Sequence, residues 1–143
     1  EMTSSLVGSE MCIRDRYIEQ TQNDLFADRQ LRLMIENGNR QVVGIVDLCS
    51  FDPLHNRAEV GIMVDKSCRR QGIGRNALAL LEEHCFRYLG IHQLFAYIAV
   101  ENLPSRRLFA ACGYKESAVL KEWAHTFGGG YTDVLVVQKL NLS

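Results

Sequence analysis

The sequence predicts an α/β domain built on a mixed sheet, and three observations carry that expectation. Ala58–Val64 and Gln93–Val100 are apolar, strand-like runs, and the stretch between them holds Leu78, Leu81, Cys85 and Leu89 at helical spacing. Strand, helix, strand in this order predicts a β-α-β unit with parallel strands and a right-handed crossover. Paired strand-like runs lie on both sides of that unit: Leu31–Glu36 with Val42–Cys49, and Lys115–Glu122 with Thr132–Leu140. Hairpins add antiparallel neighbours, so the sheet is mixed. At 143 residues the chain has room for one core and one domain.

Taken in order, Glu1–Arg16 has no helical or strand period and lacks the apolar centre of a secretion signal. Ser4–Arg16 resembles translated adapter sequence. Residues 1–16 are therefore expected to be foreign or disordered, standing where a natural N-terminus is lost, with 17–143 the single domain. Tyr17–Gln30 has the pattern of a short amphipathic helix (Ile18, Leu25, Phe26). The first hairpin turns at Asn37-Gly38-Asn39, and Gly44 in its second strand suggests a bulge. Phe51–Arg57 is a loop, and Ala58–Val64 a strand. The following helix is expected over Asn76–Leu89, ended by Gly90 as its C′ residue. Gln93–Val100 is apolar on both sides, which predicts a strand covered on both faces. Pro104 opens a short helix that runs to about Cys112 and stops at Gly113.

Net charge is −1, so bulk composition argues for neither nucleic acid nor a membrane surface as partner. No apolar run approaches the roughly 20 residues of a membrane span. The five cysteines are widely spaced without a C-x-x-C pair, which supports neither a zinc site nor a disulfide framework. Cys49, Cys85 and Cys112 read as small core residues, and a reducing cytoplasm is the expected compartment. The histidines lack metal-ligand spacing; His55 and His92 flank strands near a prospective entrance.

The chemistry concentrates in Val64–Ala77. A strand runs into Arg69-Arg70-Gln71-Gly72-Ile73-Gly74-Arg75 and then into a helix. Such a loop aims backbone N–H groups at the positive end of a helix dipole, a ready site for an anion. Gly72 and Gly74 let a phosphate approach the backbone, and Arg69, Arg70 and Arg75 add forked charge. The string also satisfies G-x-G-x-x-G/A, the dinucleotide fingerprint. Against that reading, a polar segment separates strand from glycines, and no acid falls in Leu94–Val100, about 20 positions on. A P-loop is excluded because no Gly-Lys-Ser/Thr follows.

With a second motif, the loop resembles a known family. Arg69–Gly74 fits the (Gln/Arg)-x-x-Gly-x-(Gly/Ala) loop of the GNAT N-acetyltransferases. Asn102-Leu103-Pro104-Ser105-Arg106-Arg107-Leu108-Phe109-Ala110-Ala111-Cys112-Gly113-Tyr114 fits that family's Asn-x-x-(Ser/Ala)-x-x-Leu-(Tyr/Phe)-x-x-x-Gly-(Phe/Tyr). Arg57–Gly61 and the Trp123…Tyr131-Thr132-Asp133 ending are most like the branch of spermidine/diamine and ribosomal-protein N-terminal acetyltransferases.

The resemblance implies the GNAT acyl-CoA N-acyltransferase fold, whose strands 58–64 and 93–100 splay to admit acetyl-CoA. It implies that backbone groups of Ile62, Met63 and Val64 hold the pantetheine arm. Arg69, Arg70, Gln71, Gly72, Ile73, Gly74 and Arg75 would hold the pyrophosphate, with Asn102 and Ser105 approaching from the other side. Acetyl-CoA is then the cosubstrate, with no metal, and the acceptor is a small primary amine or a peptide N-terminus. Oligomeric state is left open, with a homodimer as the family's frequent form. Asn102 as a helix cap and Ser105 as ordinary helix sequence are the alternatives for those two.

Transfer to an amine needs a proton acceptor, since an aliphatic ammonium of pKa ~10.4 is neutral about once in a few thousand at pH 7. Glu59, in the strand beside the expected acetyl group, is the candidate base. Its alternative is a carboxylate paired with Arg57 or another cation. Phe109 stands where many relatives carry a tyrosine that protonates the leaving sulfur, and phenylalanine cannot do so; the deficit need not be fatal, because a thiol pKa of ~8.5 makes thiolate a tolerable leaving group. Tyr97 and Tyr114 are the possible substitutes, both expected to be core aromatics with satisfied hydroxyls. Trp123, His125 and Tyr131 either border the acceptor pocket or pack. The competing function is a non-catalytic acyl-CoA-binding module; a dinucleotide-binding oxidoreductase fragment is the third.

Overall fold

A computed structural model describes residues 3–6, 11–15, 25–69 and 71–142. Among these residues lie β1 (Thr3–Leu6), β2 (Met11–Asp15), α1 (Leu25–Asp28), β3 (Leu31–Glu36), β4 (Val42–Asp52), β5 (Arg57–Val64), α2 (Ile73–Glu83), β6 (Gln93–Ala99), α3 (Leu103–Ala111), β7 (Lys115–His125) and β8 (Tyr131–Leu140). The strands form one mixed sheet in the order β1-β2-β3-β4-β5-β6-β8-β7. β5 and β6 run parallel and the other described neighbours antiparallel, as the β-α-β unit between hairpins predicts.

Alternation along the strands builds the core. Leu33, Ile35, Val46, Leu48, Ala58, Val60, Leu94, Ala96 and Ile98 share one face and are buried. Ala77, Leu78, Leu81 and Cys85 from α2 and its extension, and Phe109 from α3, close over that face. Burying a leucine of this kind contributes about 1.5–3 kcal/mol. The opposite face stays partly open, which corrects the expectation for Gln93–Val100. Leu94, Ala96 and Ile98 are buried, but Tyr97 on the other side is 45% exposed. α2 and α3 cover the same face, so apolar character alone does not bury the second.

The β3–β4 hairpin turns at Asn37, whose Oδ1 accepts the N–H groups of Asn39 (2.9 Å) and Gln41 (3.0 Å). The expected bulge is present: Ile35 pairs with Gly44 and Glu36 with Val42, so Val43 is the extra residue. Gly44 also meets β5 closely, since a Cβ there would lie 2.5 Å from the Met63 carbonyl oxygen.

Several boundaries differ from the sequence reading. β4 runs on to Asp52, into the Phe51–Arg57 stretch read as a loop, and β7 to His125 rather than Glu122, because pairing with β5 and β8 carries both strands on. β1 and β2 form an antiparallel hairpin continued onto β3, where no regular structure was expected; edge pairing needs only backbone N–H and C=O groups, not a side-chain period. In the stretch read as a helix over Tyr17–Gln30, the single turn Leu25–Asp28 is described, and residues 16–24 lie outside the described residues. The main helix starts at Ile73 rather than Asn76, so the Gly-x-Gly segment is itself the helix N-terminus. Beyond Glu83 it continues as a π-turn over His84–Tyr88, and Gly90 (φ 66°) ends it as expected.

Candidate active site

The β5–β6 ladder stops early. Arg57 pairs with Gln93, Ala58 with Leu94 and Glu59 with Phe95; beyond that rung both strands continue without pairing to each other. β5 stays attached to β4 through Gly44 and Val64, and β6 to β8 through Ala99 and Val134. The result is a slot between two continuous strands, closed at Glu59/Phe95 and open toward Val64 and Ala99. The Asn56 carbonyl accepts from His92 N–H across to β6 (2.9 Å), whereas Asp65 N–H donates to the Val43 carbonyl (2.7 Å) on the other side. Backbone alternation therefore turns the N–H and C=O of Val60, Ile62 and Val64 into the slot. Met63, expected beside Ile62 and Val64, turns its peptide groups to β4 and exposes its side chain instead.

At the mouth, a 3₁₀ turn (Lys66–Cys68) carries the chain to Arg69, whose Nε donates to the Val64 carbonyl at 3.2 Å. Arg70 lies outside the described residues. Gly72 takes a left-handed conformation (φ 78°, ψ 5°) as the N-cap of α2. No side chain caps this helix and no acid lies in its first turn. The N–H groups of Ile73, Gly74 and Arg75 thus form a positive terminus, beside the exposed Gln71 and the Arg69 and Arg75 side chains. Gly74 lies where a Cβ would come within 3.2 Å of Leu108 Cδ2 and 3.7 Å of Val64 Cγ2. This contact seats the start of α2 against α3 and the end of β5.

The second motif enters from β6. Asn102 is the N-cap of α3, its Oδ1 accepting Ser105 N–H at 3.3 Å, so the cap alternative describes that oxygen. Its Nδ2 donor is separate from this bond. Ser105 is half-buried in the first turn. Arg106, not singled out in the sequence, ties this corner together: Nη1 donates to the Val100 carbonyl (2.9 Å) and Nη2 pairs with Glu116 (3.3 Å).

Glu59 sits at the closed end of the slot, on the sheet face opposite the core, half-buried between Cys49 on β4 and Phe95 on β6. Arg57 is not its partner, since that guanidinium pairs with Asp52 at 3.5 Å. Ser50 Oγ donates to Glu59 Oε1 at 3.2 Å. Ser50 itself holds a left-handed backbone (φ 50°) where the β4–β5 register shifts. It falls between the Val42–Cys49 run and the Phe51–Arg57 loop, and no sequence signal marked this role.

Other expectations move. His55 and His92 lie at the N-terminal ends of β5 and β6, away from the slot mouth. Cys85 is fully buried, its thiol pushed up to about 12 by desolvation and by Glu82, while Cys49 and Cys112 are half-buried. Phe109 is 3% exposed and stacks edge-on against Tyr114 with centroids 4.9 Å apart. Tyr114 is a core aromatic as expected, but its hydroxyl finds no hydrogen-bond partner among the described residues, and burial drives its ionisation far above the ordinary range. Trp123 and Tyr131 are exposed on the β7–β8 hairpin, whose tip extends past the end of β6, and His125 stacks on Tyr131 at 5.2 Å.

The sheet parts at its one described parallel pair beside an uncapped basic helix N-terminus, so strand backbone groups and first-turn helix amides are left unpaired at one opening. Comparison with known proteins gives the family. Residues 9–115 match the model of the acetyltransferase (GNAT) domain, and the chain belongs to that family. Spermidine N(1)-acetyltransferase of Vibrio cholerae is 27% identical over 103 residues, covering 72% of this chain and 59% of the relative. A putative phosphinothricin acetyltransferase of Bacillus subtilis is 34% identical over 102 residues, covering 67% and 59%. The chain therefore spans about three-fifths of the length of these curated relatives. A dodecameric structure of spermidine N-acetyltransferase from Vibrio cholerae superposes with a TM-score of 0.75 at 25% identity, covering 82% of this chain and 68% of that one. A mutant of the same enzyme gives a TM-score of 0.82 at 20% identity, over 94% and 95% of the two chains, a likeness of fold.

Proposed function

We propose that this chain transfers an acetyl group from acetyl-CoA to a primary amine by direct attack on the thioester, the acceptor being a polyamine or diamine or a peptide N-terminus. The observation that carries this reading is the β5–β6 ladder ending at Glu59/Phe95 while both strands run on, with the free N-terminus of α2 at the mouth. The relatives named for spermidine favour the polyamine class. Purified protein incubated with acetyl-CoA and a panel of polyamines, amino acids, aminoglycosides and peptides, with free thiol followed, tests it directly.

In this reading the N–H and C=O of Ile62 and the N–H of Val64 pair with the pantetheine arm as a partial extra strand, the Val64 carbonyl being held by Arg69 Nε. The first-turn amides of α2, with Arg69, Arg70, Gln71 and Arg75, neutralise the diphosphate; Gly72 and Gly74 keep the approach clear. Asn102 Nδ2 and Ser105 reach the cosubstrate from the β6 side. Glu59, oriented by Ser50, accepts the amine proton directly or through a water. Self-association is proposed from the same likeness, and sedimentation of the purified chain measures it.

The second reading, a non-catalytic acyl-CoA-binding module, draws on one observation: Phe109 and Tyr114 are sealed in the core and offer no acid to the leaving sulfur. Tight acetyl-CoA binding without turnover on the whole panel favours it.

A further inference from the structure

The departing CoA sulfur leaves more readily when a proton reaches it as the C–S bond breaks, and neither residue of the Phe109–Tyr114 pair supplies one. Phe109 has no hydroxyl, and Tyr114 is 4% exposed with its ring against Phe109 and its hydroxyl enclosed. Tyr88 lies in the π-turn at the far end of α2, and Tyr131 begins β8 on the projecting hairpin. Tyr97 is placed differently. It stands on β6 two residues past Phe95, the last residue paired with β5, so it lies about 7 Å beyond the closed end of the slot. Because Glu59 pairs with Phe95, and side chains two apart share a face, Tyr97 and Glu59 project to the same side of the sheet. One comes from each wall of the slot. Tyr97 is 45% exposed, and its ring is braced edge-on by Phe95 with centroids 5.8 Å apart.

Resting on the transferase reading above, we infer that Tyr97 is the catalytic acid of this chain, delivering its hydroxyl proton to the CoA sulfur. Once the acceptor's ammonium has released one proton to solvent through Glu59, the neutral amine nitrogen forms its bond to the thioester carbonyl carbon and gives a second proton to Glu59. As the tetrahedral adduct collapses, the C–S bond breaks, its electron pair stays on sulfur, and sulfur takes the Tyr97 proton. The proton on Glu59 returns through solvent to the Tyr97 phenolate. The balance is one amine and one thioester in, one amide and one thiol out.

Tyr97→Phe keeps the ring and its contact with Phe95, so folding is retained. Steady-state rates with the best acceptor of the panel are measured from pH 6.5 to 10.5 for wild type, Tyr97→Phe and Tyr88→Phe. The expected result is a fall in kcat of about 10²-fold for Tyr97→Phe, a KM for acetyl-CoA within about threefold, and a wild-type profile with an alkaline limb that the variant lacks. Tyr88→Phe matches wild type. A Tyr97→Phe enzyme with kcat within about threefold, or with its loss confined to KM, or with the alkaline limb intact, overturns the inference while leaving the transferase reading in place. Wild type that binds acetyl-CoA and turns over nothing overturns both.

Discussion

The two glycines of the loop have different physical jobs, and alanine at each position separates them. Gly72 holds φ 78°, and a Cβ there would meet nothing within 4 Å, so Gly72→Ala imposes a backbone cost without a clash. A left-handed alanine costs about 1–2 kcal/mol. For a chain of this size each kcal/mol lowers Tm by roughly 2–4 °C, giving an expected fall of about 2–8 °C. Gly74 has no positive φ and lies inside the first turn of α2, where alanine gains about 0.5–1 kcal/mol over glycine. Against that gain stands a Cβ 3.2 Å from Leu108 Cδ2, the end of a side chain able to give by a few tenths of an ångström. Gly74→Ala is therefore near-neutral in Tm. Both substitutions place a methyl beside the amides proposed to hold the diphosphate, so both weaken acetyl-CoA binding by about tenfold, a loss of about 1.4 kcal/mol. Thermal unfolding without ligand and calorimetric titration with acetyl-CoA read the two quantities. If Gly72→Ala leaves Tm unchanged, or Gly74→Ala lowers it more than Gly72→Ala does, the division of roles is wrong. Wild-type affinity in both variants removes the diphosphate from this loop.

The remaining predictions concern the proton acceptor and a buried ion pair. Glu59→Gln at saturating amine lowers kcat by about 10²–10³-fold at pH 7, and the deficit shrinks about tenfold per pH unit as the bound ammonium deprotonates without help; parallel pH profiles for variant and wild type exclude Glu59 as the base. Ser50→Ala removes the hydrogen bond to that carboxylate at a cost of about 1 kcal/mol, read as a fivefold fall in kcat with acetyl-CoA affinity unchanged. Lys139→Met leaves Glu82 buried without its ammonium partner, and loss of one partner of a buried pair costs about 3–5 kcal/mol. Burial already raises the Glu82 carboxyl, and Lys139 opposes that rise. With Lys139 gone the folded state holds the proton more tightly than the unfolded one. The stability deficit is accordingly largest above the raised pKa and fades as pH falls toward the ordinary glutamate value. Denaturant melts at pH 5 and pH 8 check this, and an equal deficit at both values refutes it.

What the sequence disclosed and what it withheld divide along the range of the interactions. The β-α-β unit, the Asn37 turn and the Gly90 and Gly113 helix ends are local events, written in spacing and in residues with special backbone freedom. The basic loop was legible for the same reason, though its last residues proved to be helix: Gly72 serves as N-cap because its left-handed backbone starts the coil, and no Ser, Thr or Asp marks the place. The slot was not legible from the strands' own composition. Val60–Val64 and Ala96–Ala99 are as apolar as strands that pair along their whole length, and their parting is a matter of which neighbour each follows, β4 or β8. The GNAT motifs implied it; periodicity did not. Tyr97 was hidden by the same limit. Alternation shows that it faces away from Ile98, but not that both helices cover the Ile98 face and leave the other accessible. Glu82 and Lys139, 57 residues apart, meet because α2 and β8 pack on either side of the α3 terminus, where Lys139 Nζ also donates to the Cys112 carbonyl at 2.6 Å. That one ammonium links the far end of α2, the helix proposed to hold the diphosphate, to the end of the helix that opens at Asn102. The two walls of the slot are thus joined behind the core as well as at the Glu59–Phe95 rung, and a substitution remote from the slot, Lys139→Met, is expected to loosen acetyl-CoA binding through their relative placement.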